Sequence, residues 1–294
     1  MPTSSASPAP VPGRYRNDLT LFLGIAFATS WLAWGVAVAV GGESTEPPAN
    51  LSYTLGAFGP LIGALVIRIR RRRRGEAVPR HVVAFRRRHL LWAPVLMILG
   101  SATVVLAALF GYAAGGPALS LDSAREMAET MGGPVAFLGG MLVSGPLSEE
   151  AGWRGTAYPR LRATMSRFQV GLLLGVVWAV WHLPLFFIDG TPQHELGLAS
   201  ASGVLFAVSN VPMAMLVAAA YDRAGIVAAI GMHFAVNVSL VSLGVTAPET
   251  QAMLIGIQSI AVVLVLATGR GTGRPSPRTA VPETAYVPES TART

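Results

Sequence analysis

The sequence has no cysteine, no lysine and few charged residues of any kind. Only 13% of its 294 residues are charged, whereas soluble globular domains carry roughly 25%. The lack of cysteine excludes a disulfide scaffold, a cysteine nucleophile and cysteine-ligated zinc or iron–sulfur sites. Apolar residues make up 52% of the chain, and the mean hydropathy is +0.52. These features predict an all-α, polytopic membrane protein rather than a soluble domain.

The basic residues are all arginine, and five of them form the run Arg70 to Arg74. The formal net charge is +7, and a nucleic acid could bind such a run. Because apolar segments flank the run, we interpret it instead as a cytoplasmic loop that fixes topology and contacts anionic membrane lipids. We therefore expect membrane lipids, and no nucleic acid, among the partners.

Eight apolar segments are long enough to cross a membrane as helices, for which about 20 residues are needed. Their approximate bounds are 19–40, 51–69, 90–112, 134–158, 168–188, 201–221, 224–244 and 250–268. The first is too long for the apolar region of a signal peptide, so we predict a retained helix. The predicted transmembrane domain, 18–268, lies between two tails without apolar runs, 1–17 and 269–294, which we predict to be disordered.

The arginines also predict the orientation of the chain. If both termini are cytoplasmic and there are eight spans, every arginine outside the spans lies on the inside except Arg125. The outside loops, 41–50, 113–133, 189–200 and 245–249, carry acidic residues instead. This segregation is the positive-inside pattern. The lysine-free, arginine-rich composition suggests a bacterial source, so the predicted location is the cytoplasmic (plasma) membrane of a bacterium.

Ionisable groups inside apolar spans are costly and mark candidate functional sites. In the fourth span, Glu150 and Arg154 are four residues apart and can pair on one helix face. Glu149 points elsewhere and lacks that partner, which suits a general acid or base. A buried ion pair that only orients helices is the structural alternative for Glu150 and Arg154.

The fifth span contains Trp178 and His182, also four residues apart. The indole ring of Trp178 can pack on the imidazole, and Pro184 should bend the helix just beyond it. A lone histidine on an apolar helix is more often a hydrogen-bonded core residue than a ligand or catalyst. Taken alone, His182 therefore favours a structural role.

The seventh span contains His233 and Asn237, which share a helix face. Both can donate hydrogen bonds to one point, as an oxyanion site requires. An interhelical polar clamp is the structural alternative. Their neighbours are small, so close helix packing is expected here.

The combination is more informative than any single residue. Counted along the helices at about 1.5 Å per residue, three separate spans bring Glu149, His182, His233 and Asn237 to similar depths. A carboxylate and an imidazole can activate a water molecule, while a second imidazole and a carboxamide stabilise the oxyanion. Alternatively, Glu149, His182 and His233 could bind zinc, since His₂Glu sites are known. A His-Glu-x-x-His helix, a Gly-x-Gly-Asp stretch and a Gly-x-Ser-x-Gly turn are all absent from the sequence.

Three short motifs carry a family resemblance. Glu149-Glu150-x-x-x-Arg154 resembles the Glu-Glu-x-x-x-Arg motif of the CAAX-protease and bacteriocin-processing (CPBP, Abi) family. Trp178-x-x-x-His182 is similar to its Phe-x-x-x-His motif, with tryptophan in place of phenylalanine. His233-x-x-x-Asn237 is similar to its His-x-x-x-Asn motif. The motifs occur in the family's order, within a core of about 134–244.

The resemblance implies an intramembrane endopeptidase that hydrolyses a peptide bond near the membrane. It implies that Glu149 is the general base, that His182 helps to hold the water, and that His233 and Asn237 form the oxyanion site. Glu150, Arg154 and Trp178 would be supporting residues.

The resemblance leaves the metal question and the substrate open. Members of the family have been described both as metalloproteases and as metal-independent glutamate proteases. We favour the metal-independent alternative, without a cofactor, because asparagine is a poor zinc ligand and no carboxylate is evident beside the histidines. The substrate is expected to be a peptide or a membrane-anchored protein. A non-catalytic scaffold or a bacteriocin-immunity protein that uses the same polar cluster for binding is the alternative function.

Overall fold

The computed structural model describes residues 12–75 and 87–268, and the regular secondary structure within them is entirely helical. The helices are α1 (Pro12–Val40), α2 (Ala49–Ala57), α3 (Gly59–Arg73), α4 (Arg87–Ala113), α5 (Asp122–Thr130), α6 (Pro134–Leu142), α7 (Ser148–Gly152), α8 (Tyr158–Arg162), α9 (Arg167–Trp181), α10 (Pro192–Leu196), α11 (Ala201–Ser242) and α12 (Pro248–Thr268). Two π-helical segments, Val143–Leu147 and Trp153–Ala157, flank α7, and a 3₁₀ segment, Leu183–Phe187, follows α9.

Five of the described helices are long and apolar enough to cross a membrane, or six if the bent pair α2–α3 counts as one crossing. That pair is bent by 47°, and Phe58 lies between the two helices. Large apolar side chains are exposed on the outside of these helices, as a lipid-facing surface requires. The prediction of an all-α integral membrane protein is confirmed, while eight crossings and cytoplasmic termini stay predictions.

Helix α1 begins at Pro12, before the predicted start at residue 19. Proline is favoured at the first position of a helix, and the arginines that follow it are good helix formers. The last six residues of the predicted 1–17 tail are therefore helical. The rest of that tail, residues 76–86 of the arginine-rich loop and the 269–294 tail lie outside the described residues.

Helix α11 is a hairpin of two arms. Ala224 and Gly225 have non-helical dihedral angles, and the φ of Gly225 is +77°, which glycine adopts without steric cost. A straight helix of 42 residues would be about 63 Å long. The hydroxyl of Ser202 nevertheless donates to the carbonyl of Thr246, just past the other end, at 2.8 Å. The two arms, 201–223 and 226–242, therefore run back alongside each other, as two predicted spans with a turn at 222–223 require.

The predicted inside and outside segments gather at opposite ends of the helices. At one end, Arg160 after the fourth predicted span lies 3.6 Å from Asp18 at the start of α1. At the other end, the backbone N–H of Ser44 donates to the carbonyl of Asp189 at 2.8 Å. Segments that the arginine pattern assigns to the same side of the membrane are thus neighbours in space. The fold is therefore consistent with the predicted inside and outside segments.

Close backbone contacts place α7 against α3. At Gly152, a Cβ atom would lie only 2.5 Å from Pro60 of α3, so only glycine allows this approach. At Gly59, a Cβ atom would lie 2.1 Å from the hydroxyl oxygen of Ser30 in α1. These contacts lock α1, α3 and α7 together, and α7 carries the two glutamates.

Candidate active site

The glutamates lie on a short α-helical segment between two π-helical segments. The fourth predicted span is resolved into α6, a π-helical segment, α7, a second π-helical segment and α8. Pro146 lies in the first π-helical segment, where its missing N–H and its ring disrupt the α-helical hydrogen-bond register. The predicted span over 134–158 is thus helical along its length, with two changes of hydrogen-bond register. Such π-helical segments occur frequently at functional sites.

Glu150 is the centre of a buried charged cluster. Its Oε1 accepts from Nη1 of Arg154 at 2.9 Å, which confirms the predicted pair. The same oxygen lies 2.8 Å from Nδ1 of His233, on the second arm of α11. Nη2 of Arg154 also donates to the carbonyl of Ala214, on the first arm, at 3.3 Å. One carboxylate and one guanidinium therefore hold both arms of α11 against α7.

Glu149 has a different partner from its neighbour. Its Oε2 accepts a hydrogen bond from Nε1 of Trp178 at 2.6 Å. The Trp178 ring also packs edge-on against His233, with centroids 5.0 Å apart, and lies 5.7 Å from the ring of His182. The guanidinium of Arg154 stacks over it at 4.7 Å. Trp178 thus contacts the side chains of four of the predicted site residues.

His182 caps the C-terminus of α9. Its Nδ1 lies 2.8 Å from the backbone carbonyl of Trp178, and a carbonyl can only accept, so Nδ1 carries the hydrogen. Helix α9 ends at Trp181, and the chain goes on as the 3₁₀ segment that contains Pro184; the bend at Pro184 stays a prediction. The rings of Trp181 and Phe206 pack edge-on against the imidazole at 4.9 Å and 5.6 Å. In the neutral ring, Nε2 is then the atom that accepts a proton.

Asn237 reaches the same side of α7 as Glu149. A Cβ atom at Gly145 would lie 3.7 Å from Nδ2 of Asn237 and 3.8 Å from Oε1 of Glu149. Gly145 therefore leaves a small open space, which we call the Gly145 space, between a carboxylate oxygen and a carboxamide nitrogen. A carboxylate acceptor on one side and an amide donor on the other are suitable neighbours for a water molecule or a peptide carbonyl.

A zinc site would require the side chains of Glu149, His182 and His233 to converge on one point. In the described ranges, no group of three or more His, Cys, Asp or Glu side chains could hold a metal ion, and Glu149, His182 and His233 do not form one. However, the expectation that no carboxylate lies beside the histidines is wrong, because Glu150 contacts His233.

The donor to Glu149 is a feature of the site that the sequence does not predict. The motif indicates an aromatic ring at Trp178, but not that its indole N–H donates to Oε2 of Glu149. The two residues are 29 positions apart, so neither hydropathy nor motif spacing relates them.

These observations define a polytopic membrane protein with a buried Glu/His/Trp/Arg cluster at the junction of α7, α9 and α11. Residues 131–239 match the sequence model of the family described as Type II CAAX prenyl endopeptidase Rce1-like. Over 104 residues, the chain is 33% identical to CAAX prenyl protease 2 of Methanococcus maripaludis. The resemblance that the three motifs predict is therefore confirmed over this segment.

The match covers only part of each protein. It spans 35% of this chain and 37% of the archaeal protein. All the residues of the three motifs lie within the matched segment, but α1–α5 and α12 lie outside it.

Proposed function

We propose that the protein is an intramembrane endopeptidase in which Glu149 activates water without a metal ion. The observation that carries the proposal is the convergence of Glu149, His182, His233 and Asn237 around Trp178 and Gly145. The match of residues 131–239 to a family of endopeptidases supports the same reaction class.

The geometry supports a specific division of roles. Because Nδ1 of His182 donates to a carbonyl, its Nε2 can accept a hydrogen bond from a water molecule. Oε1 of Glu149 accepts a hydrogen bond from the other O–H of that water, while the indole N–H of Trp178 donates to Oε2. The water oxygen then attacks the scissile carbonyl carbon, and its proton passes to Glu149.

The second imidazole and the carboxamide serve the oxyanion. Oε1 of Glu150 lies 2.8 Å from Nδ1 of His233 and fixes the orientation of the ring. Its Nε2–H is the first donor to the developing negative charge. Nδ2 of Asn237 is the second donor. When the tetrahedral intermediate collapses, the C–N bond breaks and Glu149 returns its proton to the leaving amine.

We further propose that the substrate is a peptide or a membrane-anchored protein. The name of the archaeal relative, a CAAX prenyl protease, favours prenylated substrates. If this chain is bacterial, peptide maturation or cleavage of a membrane-anchored regulator is the more plausible role. Both substrate classes therefore belong in the first assay.

The test is cleavage of quenched prenylated and unprenylated peptides by purified protein, with and without a strong zinc chelator. We expect cleavage that survives chelation and is abolished in Glu149→Gln, which keeps the size and one oxygen of the side chain. Glu195→Gln is the matched control, because Glu195 is an exposed glutamate of α10. Chelator-sensitive cleavage, or a Glu149→Gln variant as fast as wild type, would contradict the metal-free mechanism.

A further inference from the structure

One face of α3 has a cavity outside the candidate active site. The cavity has a volume of about 340 Å³ and is lined by Val66, Ile69, Arg70, Arg73 and Arg74. Two of its lining residues are exposed aliphatic side chains, and three carry guanidinium groups. Apolar and cationic side chains therefore both line the cavity.

The residues that line the cavity share one side of the helix. At 100° per residue, the positions from Val66 to Arg74 that line it lie within a single sector. Ile67 and Arg71, which are buried, lie beside this sector. Arg68 and Arg72 lie on the opposite side of the helix and are exposed. The cavity is thus a local feature of one face, although arginine surrounds the end of α3.

The polarity of this face changes along the helix axis. Val66 is 37% exposed and Ile69 is 50% exposed, as expected for side chains in contact with lipid tails. The guanidiniums of Arg70, Arg73 and Arg74 follow within about two turns. Such an order, from apolar to cationic, matches an amphiphile whose acyl chains lie in the membrane and whose charged headgroup lies at its surface.

We propose that this cavity binds the headgroup of an anionic phospholipid, with an acyl chain against Val66 and Ile69. The three guanidiniums supply the complementary charge for a phosphodiester, and arginine is well suited to phosphate recognition. Arg70 is held at the cavity wall by Asp18, whose carboxylate lies 3.9 Å from its Nη1. Arg73 and Arg74 are exposed and supply most of the attraction.

The bound lipid would lie next to a junction of three helices. Asp18 of α1 also pairs with Arg71 of α3 at 3.8 Å and with Arg160 of α8 at 3.6 Å. A headgroup that contacts Arg70 would therefore lie close to Asp18, the residue that joins α1, α3 and α8. The proposal does not depend on peptidase activity, and its test measures lipid binding alone.

The test is to reconstitute the full chain in vesicles of phosphatidylcholine with phosphatidylglycerol, extract it in mild detergent, and count retained lipids by native mass spectrometry. We expect wild type to retain phosphatidylglycerol over phosphatidylcholine. The double variant Arg73→Gln/Arg74→Gln should lose that preference by at least about tenfold, since each juxtamembrane arginine contributes severalfold to anionic-lipid binding. Both side chains are exposed, so the variant should fold.

The matched control is Arg68→Gln/Arg72→Gln, which removes the same charge from the opposite face of the same helix. This variant should keep the preference for phosphatidylglycerol. If both double variants lose it equally, the attraction is a general effect of charge and the cavity is not a site. If neither loses it, or if wild type shows no preference, the proposal is wrong.

Discussion

Glu149 and Glu150 are adjacent in sequence, yet the fold gives them different environments. Glu150 is compensated by Arg154 and His233, so its charge is largely committed to holding helices together. Glu149 is held by the neutral N–H of Trp178 and keeps an oxygen beside the Gly145 space. In the proposed mechanism, this difference makes Glu150 a positioning carboxylate and Glu149 the reactive one.

Replacement of Trp178 by phenylalanine, the residue of the family motif, tests this arrangement. Trp178→Phe keeps the aromatic packing but removes the hydrogen bond to Oε2 of Glu149. Hydrogen bonds to charged groups contribute about 1.5–3 kcal/mol, so we expect kcat for peptide cleavage to fall by about ten- to a hundredfold, with little change in KM. Steady-state kinetics of the purified variant measure this.

The control for Trp178→Phe is Trp92→Phe. Trp92 stacks with Arg223 at 3.8 Å, away from the glutamates, so its loss removes an indole without touching the candidate site. Equal kcat values in wild type and Trp178→Phe would show that the indole N–H does not position the base.

For single residues, the sequence predicts contacts within one helix but not contacts between helices. Glu150 and Arg154 are four residues apart, and helical geometry alone places them together. The partners Trp178–Glu149 and His233–Glu150 are 29 and 83 positions apart. No local periodicity relates such residues, so only the packing of α7, α9 and α11 reveals these two contacts.

The element that matters most is the segment of α- and π-helical turns around α7. Hydropathy predicts one span over 134–158 but not its π-helical turns, because both kinds of turn have the same apolar composition. Gly145 and Pro146 are the sequence signal for a change of register, since both weaken a regular helix. The Gly145 space between Glu149 and Asn237 exists because Gly145 has no side chain.

Filling that space should stop the reaction without harming the fold. In Gly145→Ala, the new methyl group makes ordinary contacts with Asn237 and Glu149 at 3.7 and 3.8 Å, so stability should not fall. We expect kcat to fall by about a hundredfold if water or the peptide carbonyl occupies the space, since misplacement by about 1 Å has such effects. Thermal unfolding and cleavage rates measure the two quantities.

Gly139→Ala is the matched control for Gly145→Ala. Gly139 lies in α6, and a Cβ atom there would meet nothing within 4 Å. Its stability and its activity should both remain near wild type. A Gly145→Ala variant as active as Gly139→Ala would mean that the nucleophile lies elsewhere in the cluster.

More of the overall fold than of the candidate site can be predicted from the sequence. The apolar segments become helices close to their predicted bounds, because about 20 apolar residues can satisfy their backbone groups in lipid only as a helix. The fold also gathers the predicted inside and outside segments at opposite ends. The exception is local: the bend at Phe58 depends on how neighbouring helices pack.

The predicted orientation is tested with single cysteines, because the chain has none of its own. Ala163 and Ala199 are exposed residues at opposite ends of the fold, on the predicted inside and outside. A membrane-impermeant maleimide should label Ala199→Cys in intact spheroplasts, and should label Ala163→Cys only after the membrane is opened. The cysteine-free wild type gives the background. The reverse pattern would invert the topology, and labelling of both variants in intact spheroplasts would show that the two ends of the fold do not face opposite sides of the membrane.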